Sequence, residues 1–198
     1  MNNSTHATDP ESTPDSDLIA RYSQGDRTAI DALFTRYRLL AYRVAYRLLG
    51  HEADALDAVQ EGFIKVLRHL ERFQGRSSFK TWLLRVVSNA ALDLGRKRAR
   101  RESQSLESLG MTGGDDEPAI PEIDPARALE QLDLRRQLDA ALATLPDVQR
   151  QTLILHIEGE MSYREIAEVM GISIGTVMSR LFYARQRLRC VLTPCVEA

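Results

Sequence analysis

The feature that most constrains the fold of this chain is a break near its middle. Residues 102–127 contain the run TGGDD, the prolines Pro118, Pro121 and Pro125, and few large apolar side chains. From 102 to 124 they carry Glu102, Glu107, Asp115, Asp116, Glu117, Glu122 and Asp124 without one Lys or Arg. Such a stretch buries too little surface to offset the entropy of ordering it. At about 25 residues it is also longer than an ordinary loop within a domain. It reads as a flexible acidic linker between two blocks, residues 17–101 and 128–192. Residues 1–16 read as a disordered tail without the apolar core of a signal peptide, and residues 193–198 as a short C-terminal tail.

Both blocks show helical spacing, and neither shows the alternation of a strand. The expected fold is therefore all-α: two small helical domains, an N-terminal helical bundle and a C-terminal helix-turn-helix unit, joined by the linker. In the first block Ile30, Leu33, Phe34, Tyr37, Leu40, Ala41, Val44 and Leu48 form one apolar face, and Gly50 ends the segment. A second helix is expected from about Ala53 to Leu70, with Leu56, Val59, Phe63, Val66, Leu67 and Leu70 inward. After the break FQGRSS, Ser77 or Ser78 fits the N-cap of a third helix. That helix turns Phe79, Trp82, Leu83, Val86, Val87, Ala90 and Leu94 inward and ends in the basic run RKRARR, residues 96–101.

The second block opens with Leu129, Leu132, Leu138, Leu142 and Leu145 on one helix. Pro146 then suits the first turn of the next helix, and Gly159 closes it. Ser162-Tyr163-Arg164-Glu165 is a capping-box sequence, and it begins a short helix with Tyr163, Ile166, Ala167 and Met170 on its buried face. Gly171 makes a turn and Ser173 caps a last helix, with Ile174, Val177, Leu181, Ala184 and Leu188 inward. Two short helices about a glycine turn are the layout of a helix-turn-helix. Its second helix would expose Thr176, Ser179, Arg180, Phe182, Tyr183, Gln186 and Arg187, the N-terminal half toward the major groove and the arginines toward phosphates.

A formal net charge of −2 is low for a DNA-binding chain, but the distribution is not uniform. Residues 96–101 hold five basic residues in six, and residues 176–189 hold Arg180, Arg185, Arg187 and Arg189 with no acid. Two basic patches thus flank the acidic linker. Cys190 and Cys195 have no partner pair for zinc and do not make a disulfide framework, which suits a reducing cytosol. No run has the length of a membrane span, so no direct membrane insertion is expected. The histidines His6, His51, His69 and His156 are scattered. No catalytic triad, metal set or phosphate loop is found, so the chain reads as no enzyme, with no cofactor and no small-molecule substrate.

Asp54, Asp57 and Glu61 share one helix face, continued by Lys65 and Arg68. Spacing alone is equally satisfied by a solvated surface with a Glu61–Lys65 pair. The surrounding sequence, DALDAVQEGFIKVLRHLERFQGRSSFKTWLLRVVSNAALD, resembles the second conserved region of the bacterial sigma factors, specifically the small extracytoplasmic-function (ECF) group. LPDVQRQTLILHIEGEMSYREIAEVMGISIGTVMSRLFYARQRLR resembles their fourth region. The resemblance covers residues 17–101 and about 128–190, two motifs in the expected order with a linker between them.

The resemblance implies an alternative sigma factor that binds core RNA polymerase, directs it to bipartite promoters and promotes initiation. Asp54, Asp57, Gln60 and Glu61 would dock on a basic coiled coil of the largest polymerase subunit, with opposite charge setting register. The helix from Phe79 to Arg101 would read the minus-ten element of promoter DNA. Lys65, Phe73 and Asn89, with Arg85 nearby, would hold a base flipped from the non-template strand, although ordinary core packing is a competing reading of Phe73. Arg96, Lys97, Arg98, Arg100 and Arg101 would contact duplex phosphates. The linker would thread toward the polymerase active centre. Thr176, Met178, Ser179, Arg180, Phe182, Tyr183 and Arg187 would read the minus-thirty-five element. Met178 and Tyr183 depart from the polar or basic residues many relatives carry there, which points to a thymine-methyl contact or an altered upstream motif. The resemblance also implies an anti-sigma factor as inhibitory partner, often membrane-linked, and a cytoplasmic protein held near the membrane by it. The alternative, a stand-alone helix-turn-helix repressor or activator, accounts for residues 161–189 but not for the acidic face, the second basic patch or the acidic linker.

Overall fold

The computed structural model describes residues 13–70, 73, 75–106 and 125–192. These form α1 (Asp15–Ser23), α2 (Thr28–Leu49), α3 (Glu52–His69), α4 (Phe79–Leu106), α5 (Pro125–Ala143), α6 (Asp147–Ile157), α7 (Tyr163–Met170) and α8 (Ile174–Leu192). There is no strand among the described residues, and the all-α expectation holds.

Helices α1 to α4 make an N-terminal bundle. The helical spacing of the first block opens as two helices, separated at Gly25, whose φ of 96° no side-chain-bearing residue adopts without strain. The tail expectation of 1–16 also extends too far, because Asp15 and Ser16 are already helical. Asp15 accepts hydrogen bonds from Arg36 Nη1 and, at 2.6 Å, from Tyr37 Oη, while Arg36 Nη2 donates to the Thr13 carbonyl at 2.8 Å. These contacts tie α1 to α2. Burial, then the bond to Asp15, push the Tyr37 phenol well above its ordinary range, so it stays a donor at neutral pH.

Helix α2 ends where expected, at Gly50 in the left-handed conformation with φ 67°. Helix α3 buries Val59, Phe63 and Val66, with Leu70 just beyond it, as expected, but its buried face is centred on small residues. Ala55, Ala58, Val59, Gly62, Phe63 and Val66 face inward, whereas Leu56 and Leu67, expected inside, are exposed. The reason is close packing against α4. A Cβ on Gly62 would lie 2.6 Å from Cγ2 of Val87, so the small-residue face is the one that lets the backbones approach. Ser78, of the two candidate caps, starts α4: its Oγ accepts from the Thr81 amide at 3.0 Å.

The linker boundaries also shift. Helix α4 runs to Leu106 and α5 begins at Pro125, so residues 102–106 and 125–127, expected in the linker, are helical. Glu102, Gln104 and Leu106 are good helix formers, and Pro125 suits a first helical turn. Residues 107–124, most of the expected linker, lie outside the described residues, as do the tails 1–12 and 193–198 and Cys195.

Helices α5 to α8 form the C-terminal unit around Leu142, Leu145, Leu153, Leu155, Ile166, Val177, Leu181 and Ala184. Ile174, expected inward at the start of α8, is exposed. The two units are not separately cored. One continuous apolar cluster runs through both, from Leu18 to Ala184, with α2 against α6 and α4 against α6 and α7. Gly159 marks the closeness: a Cβ there would sit 3.2 Å from Cδ1 of Leu84.

Candidate nucleic-acid and partner-binding surfaces

The C-terminal unit carries the helix-turn-helix. The Ser162 Oγ accepts from the Glu165 amide at 3.3 Å, and the Ser162 amide donates back to Glu165 Oε2 at 2.9 Å, completing the capping box. The Ser162 side chain, then its backbone amide, hold the Glu165 carboxyl below the usual range, with Thr81 and Lys80 adding to the effect. Gly171 turns the chain at φ 64°, and α7 and α8 meet with a bend of 103°, within the helix-turn-helix range. Ser173 Oγ accepts from the Thr176 amide at 3.1 Å and caps α8.

Val177, Leu181 and Ala184 lock α8 inward, which turns the opposite face to solvent. Met178 is 55% exposed, Phe182 63% and Tyr183 56%, and the last two rings meet edge to face at 5.5 Å. These are large apolar side chains kept in water on a helix whose other face is buried. Ser179 and Arg187 are exposed as expected. Thr176 and Arg180 are half-buried: the Thr176 hydroxyl lies 2.9 Å from that of Ser173, and Arg180 Nη1 leans to 4.0 Å from Met170 Sδ.

In the N-terminal unit α3 presents the acidic face. Asp57 and Gln60 are exposed, Asp54 and Glu61 half-buried. Each of the last two is paired with a base expected to meet DNA: Asp54 accepts from Arg98 Nη1 at 2.8 Å, and Glu61 lies 2.5 Å from Lys65 Nζ. The sequence reading missed the first pair, because Arg98 lies on another helix. On α4, Arg85 and Asn89 are exposed, one turn apart. Arg96, Lys97, Arg98, Arg100 and Arg101 are exposed along its C-terminal half, with Arg96 paired to Asp93. Phe73 is half-buried and its ring stacks on Trp82 at 5.0 Å, against Phe79. It packs on the core, and its ring is available only in part.

Residues that no local pattern marked bring the two units together. Arg47 on α2 donates to Asp139 Oδ1 on α5 at 2.9 Å and to Glu158 Oε1 after α6 at 3.3 Å, with Arg43 at 3.8 Å from Glu158. Buried Gln151 donates from Nε2 to Ser88 Oγ at 3.1 Å and to Asn89 Oδ1 at 3.3 Å. Thr81 donates to Glu165 Oε1 at 3.1 Å. Cys190 is an exposed free thiol, and no group of three or more His, Cys, Asp or Glu among the described residues is placed to hold a metal. No single described helix is long and apolar enough to cross a membrane.

Comparison with known proteins agrees with this arrangement. The family model Sigma-70 region 2 matches residues 33–101, and the model Sigma-70, region 4 matches residues 135–188. The RNA polymerase sigma-H factor of Pseudomonas aeruginosa is 34% identical over 92% of this chain and 96% of its own length. The ECF RNA polymerase sigma-E factor of Escherichia coli K12 is 31% identical over 94% of this chain and 98% of its own length. The ECF sigma factor SigE of Mycolicibacterium smegmatis is 37% identical over 83% of this chain, which spans 63% of that longer protein. Among solved structures, CnrH in complex with the cytosolic domain of CnrY superposes with a TM-score of 0.67 at 26% identity, over 91% of this chain and 97% of that one. The sigma factor RpoE of Bartonella quintana, in complex with the anti-sigma factor NepR, superposes with a TM-score of 0.61 at 27% identity, over 81% and 96%. The chain therefore belongs to the ECF group of RNA polymerase sigma factors, DNA-binding initiation factors that direct the polymerase to promoters and are not themselves enzymes.

Proposed function

We propose that the chain divides this task between its two units. Residues 17–101 bind core polymerase and the minus-ten element, and residues 128–192 bind the minus-thirty-five element. Asp54, Asp57, Gln60 and Glu61 on α3 dock on a basic coiled coil of the polymerase. Lys65, Phe73, Arg85 and Asn89 meet an extruded non-template base, while Arg96, Lys97, Arg98, Arg100 and Arg101 hold duplex phosphates. Thr176, Met178, Ser179, Arg180, Phe182, Tyr183 and Arg187 face the upstream element from α8. The observation that carries this reading is the pairing, in one chain, of an acidic helix face with a helix-turn-helix. Its second helix keeps Met178, Phe182 and Tyr183 in solvent. A repressor has use for the second feature only.

The B. quintana sigma factor is held by an anti-sigma factor. By that likeness we infer an inhibitory protein partner for this chain as well. Where that partner is membrane-linked, it holds the factor near the membrane of the bacterial cytoplasm.

The test mixes purified protein with bacterial core RNA polymerase and sequences the transcripts made from a genomic fragment library. Transcripts sharing two spaced upstream motifs are expected. Asp57→Arg/Glu61→Arg is expected to abolish them while circular dichroism shows the fold intact. Tight binding of a palindromic site by the free protein, with no affinity for core, would replace this reading with a conventional regulator.

A further inference from the structure

Four aromatic rings form one cluster in the N-terminal unit. Phe79, at the start of α4, is 2% exposed and meets the other three. Its ring centroid lies 5.6 Å from that of Tyr37 on α2, 6.3 Å from that of Phe73 between α3 and α4, and 6.1 Å from that of Trp82, one turn along α4. Phe73 is also held in two other ways. Its ring stacks on Trp82 at 5.0 Å with 28° between the planes, and its amide donates to the Leu70 carbonyl at 3.0 Å.

Tyr37 ties this cluster to the first helix. Its hydroxyl donates to Asp15 Oδ2 at 2.6 Å, and the other oxygen of that carboxylate accepts from Arg36. Arg36 donates in turn to the Thr13 carbonyl at 2.8 Å. Apolar contact is non-directional, so a phenylalanine at position 37 would fill the same space with its ring free to tilt. A hydrogen bond to a carboxylate that is itself held by Arg36 selects one ring position. Burial, and then Asp15, keep the phenol protonated, so the tether persists across the working pH range. Helix α1 carries none of the residues assigned above to polymerase or promoter, yet it fixes the ring on which Phe79 rests.

The geometry points to Asp15 and Tyr37 as positioning residues for capture of the minus-ten base: Asp15 sets Tyr37, Tyr37 sets Phe79, and Phe79 braces the Phe73 ring that the base meets. The proposal rests on the assignment of Phe73 to that base. Phe73 is half-buried, so only part of its ring is open to stacking, and a tilt passed through Phe79 changes how much of the ring a base can cover.

The experiment uses the full chain with core polymerase and a promoter fragment carrying 2-aminopurine in the non-template strand of the minus-ten element. Its fluorescence reads base extrusion, and a promoter library randomised across both elements reads preference at each. Asp15→Ala and Tyr37→Phe are each expected to lower extrusion and minus-ten preference by about three- to tenfold, part of the worth of base–aromatic stacking. Core affinity and upstream preference should stay unchanged. Trp82 is the one tryptophan of the chain, and its emission should shift in both variants before any DNA is added. Arg21→Ala, which breaks the Arg21–Asp26 pair at the other end of α1, should alter none of these. Tyr37→Leu should lose more than Tyr37→Phe; if circular dichroism shows it unfolded, the two milder variants decide. Equal losses in core binding and at both promoter elements would make the pair a structural support only and overturn the proposal. Unchanged minus-ten preference in Asp15→Ala and Tyr37→Phe, with preference lost in Phe73→Ala, overturns the positioning role alone. Unchanged preference in Phe73→Ala overturns the assignment of Phe73, and the positioning role with it.

Discussion

Arg98, on the exposed C-terminal half of α4, donates to the carboxylate of Asp54 on the first turn of α3 at 2.8 Å. The two residues are assigned opposite tasks, Asp54 to polymerase and Arg98 to duplex phosphate. Their pairing means that each site partly neutralises the other until a partner competes. On the proposed assignment, a basic coiled coil arriving at Asp54 would redirect the carboxylate and leave the guanidinium better placed for phosphate. Asp54→Asn is therefore expected to weaken core binding and to strengthen, by about fivefold at most, the binding of free protein to non-specific duplex. The bound on that gain follows from the ~0–1 kcal/mol of an exposed pair. Fluorescence anisotropy with labelled duplex at low salt checks the second effect. A fall in duplex affinity would show that Asp54 supports Arg98 in place rather than restraining it.

Gly62 decides how closely α3 and α4 approach. Gly62→Ala places a Cβ 2.6 Å from Cγ2 and 3.3 Å from Cα of Val87, so side chain and backbone must both give way. Overpacking of this kind costs about 1–3 kcal/mol, offset only in part by the better helix propensity of alanine. Urea unfolding should show the loss, and Gly62→Ala/Val87→Ala should recover part of it by removing the nearest atom. If the double variant is simply the sum of two losses, the clash is not the cause.

The capping box ties pH to the helix-turn-helix. The Glu165 carboxyl lies below its ordinary range chiefly through the Ser162 hydroxyl. A depressed acid stabilises the fold fully above its unfolded pKa, and that contribution is lost as pH falls through the lower folded value. Stability is thus expected to be flat in this respect at neutral pH and to fall only in the acid range. The pH-dependent part should shrink in Glu165→Gln. Ser162→Ala removes the cap itself and should cost about 1 kcal/mol at pH 7. Chemical unfolding of each variant at a series of pH values separates the two effects. An unchanged acid slope in Glu165→Gln would assign that slope to other carboxylates.

Features set within a few residues were legible in the sequence. The Ser162–Glu165 box, the caps at Ser78 and Ser173, and the turns at Gly50 and Gly171 each depend on side chains no more than three positions from the backbone they serve. Faces were legible only where size and hydrophobicity agree. On α3 the large apolar Leu56 and Leu67 point outward and Ala55, Ala58 and Gly62 inward, because close helix contact selects small residues and a periodicity count rewards large ones. The packing of one unit on the other had no local signature. Arg47 and Asp139 are 92 positions apart, and Gln151 looks like any helical glutamine until α4 is placed beside it. The break after α1 has a signal in the SQGDR run, masked by apolar spacing that continues across it.

Met178 offers the sharpest test of how α8 reads DNA. It stands 55% exposed on the N-terminal half of the helix, one turn from Phe182, where a buried side chain would gain and an exposed apolar one gains nothing in the free protein. Set against the major groove, the thioether and ring are suited to the thymine C5-methyl and have no donor for a guanine edge. Met178→Arg replaces that surface with a fork of donors matched to guanine O6 and N7. The expected outcome is a change of preference at one upstream position from thymine toward guanine, worth about 1–3 kcal/mol between the two bases. Downstream-element preference should not change. Transcription by the reconstituted holoenzyme from a promoter library randomised across the upstream element reads the preference base by base. An arginine variant with the same upstream motif and the same affinity as the unaltered protein would mean that Met178 does not face the bases, and the assignment would pass to Phe182 and Tyr183.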